Sequence, residues 1–130
     1  MPSYRISEAA RLLGVSDDTV RRWVDAGALP TTDSSPARIP GTALAARAVE
    51  LASAPADPSD VLSSARNRFV GLVTRIQRDG LMAQIDIQSG PHRVVSLMSA
   101  EAADDLGLEV GSLASAVVKA THVIVEAPKG

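Results

Sequence analysis

Residues Ser64–Ile76 read SARNRFVGLVTRI. A hydroxyl (Ser64), a guanidinium (Arg66) and a carboxamide (Asn67) stand together just before residues 68–76, which alternate strongly and predict a β-strand. This run marks a change of pattern. Before Ser53, Ala, Arg, Leu and Asp sit at helical spacing; after it, β-branched residues alternate with polar ones. Between them lies SAPADPSD, Ser53–Asp60, whose two prolines and small polar residues predict a linker. The expected organisation is therefore two small domains, with residues 1–52 mainly helical, 53–62 linking and 63–127 mainly β. Together they make an α+β chain.

The full length of 130 residues accommodates two small domains. Tyr4, Trp23 and Phe69 are the only aromatics, so the cores must be built from Val, Ile, Leu and Ala. The chain has no cysteine, which excludes disulfides, thiol nucleophiles and thiolate metal sites and fits a cytoplasmic protein. No apolar run approaches a membrane span, and MPSYRISEAAR lacks the layout of a signal peptide. The net charge is −2, with six Arg against six acidic residues in 1–50 and seven Lys/Arg against nine in 51–130. Bulk charge thus gives no pointer to nucleic acid.

YRISEAARLLGVSDDTVRRWVDAGALP, Tyr4–Pro30, is the most patterned stretch. Ser7 is the expected N-cap of a first helix, Glu8 suits its first turn, and Ala9, Ala10, Leu12 and Leu13 form its apolar face. Gly14 is the expected stop and Val15 fills the turn. Ser16 caps a second helix, Asp17 and Asp18 suit its positive end, and Val20, Trp23 and Val24 repeat at helical spacing before Gly27. Two short helices joined by a Gly-containing turn make a helix-turn-helix. On or near the second helix's exposed face stand Ser16, Asp17, Thr19, Arg21 and Arg22, placed to meet base edges and phosphates.

Downstream, Asp79-Gly80 signals a hairpin turn. LMAQIDI follows with Leu81, Ala83, Ile85 and Ile87 on one face, then a turn in QSGP and a third strand in HRVVSLM. Ser99 caps a short helix that stops at Gly107, and LASAVVKATHVIVE predicts two further strands, bent at Lys119–Thr121. Five short strands and one small helix suit an OB-type barrel. Such barrels bind oligonucleotides through stacking aromatics; Phe69 is the one available, and it belongs to the core.

A different ligand suits this half. Ser64 with Arg66 and Asn67, Ser96, Ser99, and Lys119 with Thr121 are all donors, with no carboxylate among them. Molybdate, tungstate and sulfate are dianions near neutral pH and offer only acceptor oxygens, so they call for such a set. Phosphate, partly protonated, would welcome one acceptor. The same residues also read as ordinary strand-end and cap residues. His92 falls in a hairpin and reads as a surface residue. No nucleophile–base pair, metal-ligand cluster or phosphate loop is present, so no enzyme is expected.

Two resemblances sharpen these readings. Tyr4–Ala48, with YRISEAARLLGVS, TVRRW and GALP, resembles the winged helix-turn-helix of the MerR and excisionase families. That resemblance implies double-stranded DNA as partner and a β-hairpin wing after Pro30. Here the wing reads TTDSSPARIP, in which Arg38 is the only basic residue and Asp33 is acidic. Few phosphate contacts remain, which puts weight on oligomerisation. The helix expected at Thr42–Ala52 is far too short for the long coiled coil of MerR regulators.

Ser63–Val125, with SARN, the paired Ser96 and Ser99, and GLEVGSLASAVVKATHV, is similar to the Mop domain, the molbindin member of the TOBE group. That likeness implies an oxyanion, molybdate or tungstate, held between subunits by the SARN stretch of one chain and the Lys-Ala-Thr stretch of another. The residues implied are Ser64, Arg66, Asn67, Ser96, Ser99, Lys119, Ala120 (through its backbone N–H) and Thr121. It further implies a homo-oligomer, a hexamer before a dimer. The combined expectation is a cytoplasmic, oxyanion-responsive transcription regulator. A molybdate or tungstate store and an architectural DNA-binding protein are the alternatives.

Overall fold

The computed structural model describes residues 2–53, 56–58 and 60–129. The chain divides into two compact units, residues 1–53 and 54–130. Ala54, Pro55 and Ser59 of the expected linker lie outside the described residues.

The first unit runs β1 (Ser3–Tyr4), α1 (Ile6–Leu13), α2 (Asp17–Asp25), β2 (Ile39–Pro40) and α3 (Gly41–Leu51). Helix α1 starts earlier than expected. Its N-cap is Arg5, whose backbone N–H donates to the Glu8 Oε1 at 3.0 Å, so Ser7 lies inside the helix and caps nothing. Leu12 also departs from expectation. Ile6, Ala9, Ala10 and Leu13 fill the inward arc of α1, and Leu12, displaced from that arc, is 64% exposed. The end of α1 is as read: Gly14 and Val15 donate their N–H groups to the carbonyls of Arg11 and Ala10 at 3.3 and 3.0 Å.

Ser16 caps α2, its Oγ accepting from Thr19 N–H at 3.1 Å. Val20, Leu29, Ile39 and Leu44 complete the buried core with Ala9 and Ala10. Helix α3 is fixed from outside that core too, because the Arg47 guanidinium lies 4.4 Å from the centre of the Trp23 ring. It spans Gly41–Leu51, one residue earlier than expected at each end.

No strand forms in residues 31–38; the segment expected as a hairpin wing is a loop closed by Thr32 N–H donating to Arg38 O at 2.7 Å. The sheet of this unit is the two-residue ribbon Ser3–Tyr4 with Ile39–Pro40. Pro36 and Pro40 bring no N–H to any ladder.

In the second unit, β3 (Asn67–Asp79), β4 (Met82–Ser89), β5 (His92–Ser99) and β6 (Leu113–Val118) form one antiparallel sheet in the order β5-β4-β3-β6. Helix α4 (Ala100–Asp105) follows β5, and a 3-10 turn (Ala120–His122) follows β6. Both hairpins have two-residue turns, Gly80-Leu81 and Gly90-Pro91, since Asp79 faces Met82 and Ser89 faces His92. Gly80 takes φ 61°, and among the described residues no non-glycine residue, Leu81 included, has positive φ, which makes that turn type II′. Leu81 therefore sits in the turn, 86% exposed, rather than on the apolar face of β4.

Strand β3 outruns its expected limits because it serves two partners: Asn67–Leu72 pairs with β6 and Leu72–Asp79 with β4. The register slips at Thr74, a bulge that bends the strand and curls the sheet. Gly71 permits this curl, as a Cβ there would stand 2.2 Å from the Gln88 carbonyl oxygen. The concave face buries Val73, Ala83, Ile85, Ile87 and Ala103.

Four strands form, one fewer than expected. Residues 123–129 have no regular structure and no sheet partner, and Val123, Ile124 and Val125 are 48%, 85% and 86% exposed. A strand exists only against an edge, and among the described residues this segment lies against none.

Candidate functional site

Strand pairing joins two of the donor clusters at one end of the sheet. Asn67 opens β3 opposite Val118, the last residue of β6. The Asn67 Nδ2 donates to the Val118 carbonyl at 3.2 Å. This bond links residues 51 positions apart and sets SARN beside the turn Lys119–His122.

Lys119 is the extended N-cap of that turn, and Arg66 and Lys119 are both exposed. The first N–H groups of a helical turn have no partner inside it, so Ala120 and Thr121 present backbone donors there. No carboxylate stands within Ser64–Asn67 or Lys119–Thr121. This end of the sheet therefore carries two cations, hydroxyls and backbone N–H groups, the donor set that a fully deprotonated tetrahedral oxyanion requires.

The other two candidates lie elsewhere. Ser96 faces Ile85 in the middle of β5. It lines a groove of about 420 Å³ whose other wall includes Ala116 and Val118 of β6. Ser99 pairs with Met82, which itself faces Asp79 at the far end of β3. Its Oγ accepts from Ala102 N–H at 3.0 Å as the cap of α4. One chain thus gathers Ser64, Arg66, Asn67, Lys119, Ala120 and Thr121, and leaves Ser99 at the opposite end of the sheet.

Two features nearby escaped the sequence reading. Arg68 donates to Asp57 Oδ2 from Nε at 2.8 Å and lies 2.7 Å from it through Nη2, which ties the expected linker to β3. Charged side chains spaced eleven residues apart across a proline carry no pattern that would show this. Asp86, 5% exposed on β4, is held by Arg93 at 2.9 and 3.0 Å and by Gln84 at 3.2 Å. The hydrogen bond from Arg93, and then that from Gln84, hold its carboxyl below the usual carboxylate range. Its role is structural, as it joins β4 to β5. Among the described residues, no three His, Cys, Asp or Glu side chains are grouped to hold a metal ion. No helix there is long and apolar enough to cross a membrane.

The first unit presents the second site. Along α2, Ser16, Thr19 and Arg22 form a chain: Ser16 and Thr19 hydroxyls are 2.9 Å apart, and Arg22 Nη2 donates to Thr19 Oγ1 at 3.1 Å. Arg21 Nη1 donates to Asp18 Oδ1 at 3.3 Å. Asp17 is exposed in the first turn. Arg38, by contrast, is turned onto its own unit. Its Nε and Nη2 donate to Ser3 Oγ and Ser3 O, both at 2.8 Å, and Glu8 Oε1 is 3.9 Å away. It clasps β2 to β1.

Comparison with known proteins follows the same division. The helix-turn-helix domain family matches residues 3–48 and the TOBE domain family residues 63–125. Molybdenum-pterin-binding protein 3 of Clostridium pasteurianum is 32% identical over 63 residues, 48% of this chain and 93% of that protein. A probable molybdenum-pterin-binding protein of Haemophilus influenzae is 41% identical over 63 residues, 48% of this chain and 91% of its own. Among solved structures, a molybdate binding protein from Sporomusa ovata is similar over 52% of this chain and 100% of its own, with 28% identity and a TM-score of 0.50. The cytoplasmic molybdate-binding protein ModG, with molybdate bound, is similar over 55% of this chain and 52% of its own, with 36% identity and a TM-score of 0.52.

Proposed function

The chain belongs, through residues 63–125, to the TOBE domain family alongside the molybdenum-pterin-binding proteins, and from that premise we propose that it is a cytoplasmic, molybdate- or tungstate-responsive DNA-binding transcription regulator. The observation that carries this reading is the donor-only end of the sheet, where the Asn67–Val118 bond sets Ser64 and Arg66 beside Lys119, Ala120 and Thr121. A dianion there meets cations and N–H or O–H donors, and the carboxylate near this end of β3, Asp57, is already paired with Arg68.

The remaining hydroxyls come from a second copy. Ser99 stands at the far end of β3 from Arg66, and hydrogen bonds to one anion need donors within about 3 Å of its oxygens. Placing the anion between copies removes the conflict. The groove between β5 and β6 and the unpaired Val123–Val125 support the same arrangement, because each is the complement the other lacks. We favour a hexamer, with a dimer as the simpler form. An anion held between copies binds the assembly better than separated chains and so biases assembly. Assembly in turn sets how many helix-turn-helix units act together on DNA. The relatives are binding proteins by name, and binding is the activity proposed here.

Storage is the second reading. It is favoured by the equal numbers of Arg and acidic residues in 1–50 and by the engagement of Arg38 with Ser3. Calorimetric titration with molybdate and tungstate, against sulfate and phosphate, tests the site. Tight binding of the first two supports it; no binding leaves the architectural reading. Duplex binding with and without molybdate then separates regulator from store.

A further inference from the structure

The two adjacent arginines of α2 are held by chemically different partners. Arg22 is steadied by a neutral group, the Thr19 hydroxyl, which is itself fixed to the helix cap at Ser16. Its full positive charge stays available. Arg21 leans towards the same N-terminal end but onto a carboxylate, Asp18 Oδ1, at 3.3 Å. The side chains of Arg21 and Asp18 are 56% and 89% exposed. Both are therefore accessible to an approaching nucleic acid. Among the described residues no ion pair joins Asp17 to either arginine, so Asp18 alone does this.

Resting on the DNA-binding reading of this unit, we propose that Asp18 masks Arg21: it neutralises that arginine in the free protein and must be displaced before Arg21 can reach a phosphate. Phosphate contact and counterion release are the source of sequence-independent affinity. A masked Arg21 therefore withholds one contact from random DNA. It yields that contact only where the fit of α2 to base edges offsets the loss of the Asp18 pair. Arg22, positioned by Thr19, needs no such exchange. The pair thus tunes specificity rather than adding affinity. Because the pair is exposed, its strength is modest, and Asp18 is a tuning residue and not a lock.

The test uses the full chain and a mixed-sequence duplex, followed by fluorescence anisotropy across a series of salt concentrations. Asp18→Asn is expected to raise affinity about two- to fivefold at low salt, the range of one exposed ion pair. It is also expected to steepen the slope of log K against log salt by up to about 0.9, the value for one more neutralised phosphate. Asp25→Asn removes the same charge from the other, exposed end of α2, where among the described residues no ion pair joins it to an arginine, so its slope should stay that of the parent. In an Arg21→Ala background, Asp18→Asn should leave the slope unchanged. A steeper slope that persists without Arg21, or an equal change from Asp25→Asn, reduces the effect to plain repulsion and overturns the mask. Parent-like affinity and slope for Asp18→Asn, in a protein that does bind the duplex, overturns the mask alone. Absence of binding by the parent and every variant overturns the DNA-binding reading with it.

Discussion

Residues 2–53 and residues 60–129 solve the same problem with different degrees of self-sufficiency. In the first unit three helices satisfy their own backbones, and six buried side chains from α1, α2, α3 and the segments between them meet in one core. In the second, the edges of β5 and β6 are open, a groove runs between them, and Leu72, Val95, Leu97, Leu113 and Val117 are 44–68% exposed on the sheet. The contrast follows from hydrogen-bond geometry: a helix pairs each peptide within one segment, whereas a strand must borrow a neighbour. A helical head can therefore be complete in one chain, while a four-stranded curled sheet with a spare apolar tail leaves backbone and apolar surface open, which is what the proposed assembly would use.

The largest test of that comparison is Gly71→Val. With a Cβ 2.2 Å from the Gln88 oxygen, the β unit should lose about 3 kcal/mol or more, the upper range of overpacking. The helical far-UV signal of the first unit should survive. A parent-like thermal transition would show that β3 and β4 do not approach so closely. Next is Ile124→Asp, which places a charge in the unpaired tail. The expected result is dissociation to smaller species by analytical ultracentrifugation, with an unchanged assembly removing the tail from the interface.

Arg66→Ala and Lys119→Ala should each weaken molybdate binding about tenfold or more, the scale of one charge-assisted hydrogen bond, without unfolding the sheet. Parent affinity in both, measured by calorimetry, removes the site. Ser16→Ala should cost the helical unit about 1 kcal/mol through its lost cap, visible as a lower melting temperature.

The smallest effect is acid sensitivity. The Asp86 carboxyl is held low by Arg93. The stability it contributes is present above the unfolded carboxylate value, about 3.9, and is lost as pH falls through the lower folded value. Asp86→Asn should flatten that part of the pH profile of unfolding, and an unaltered profile would assign the slope to other carboxylates.

What could be read from sequence was local. Ser16, Gly14 and Ser99 act within a few residues of themselves, and their capping and stopping roles were visible. The Arg5–Glu8 bond moved the start of α1 because a carboxylate reached back past the hydroxyl that looked like the cap. Arg38 was legible as a basic residue but not as a clasp, since Ser3 lies 35 positions away. Both donor clusters could be seen as clusters, but their meeting depends on β3–β6 register, which only the fold supplies. The fifth strand was expected from alternation alone, which does not show whether a segment finds a partner; residues 123–129 pair with no strand among the described residues.

The double duty of β3 has a consequence in time. Among the described residues Leu72 alone has register partners on both sides, Gln88 on β4 and Leu113 on β6. Val73 extends the overlap, since its N–H donates to Ser112 O at 2.9 Å and its carbonyl accepts from Gly111 N–H at 2.8 Å. Before Leu72 the partner is β6 and beyond Val73 it is β4, so the sheet is two ribbons joined at Leu72–Val73. Each ribbon can open without the other, and hydrogen exchange should divide into two cooperative groups meeting at Leu72–Val73. The ribbon carrying Lys119 is the one with a single neighbouring strand. Its exchange should be the faster, and it is the one whose clock a bound anion would slow.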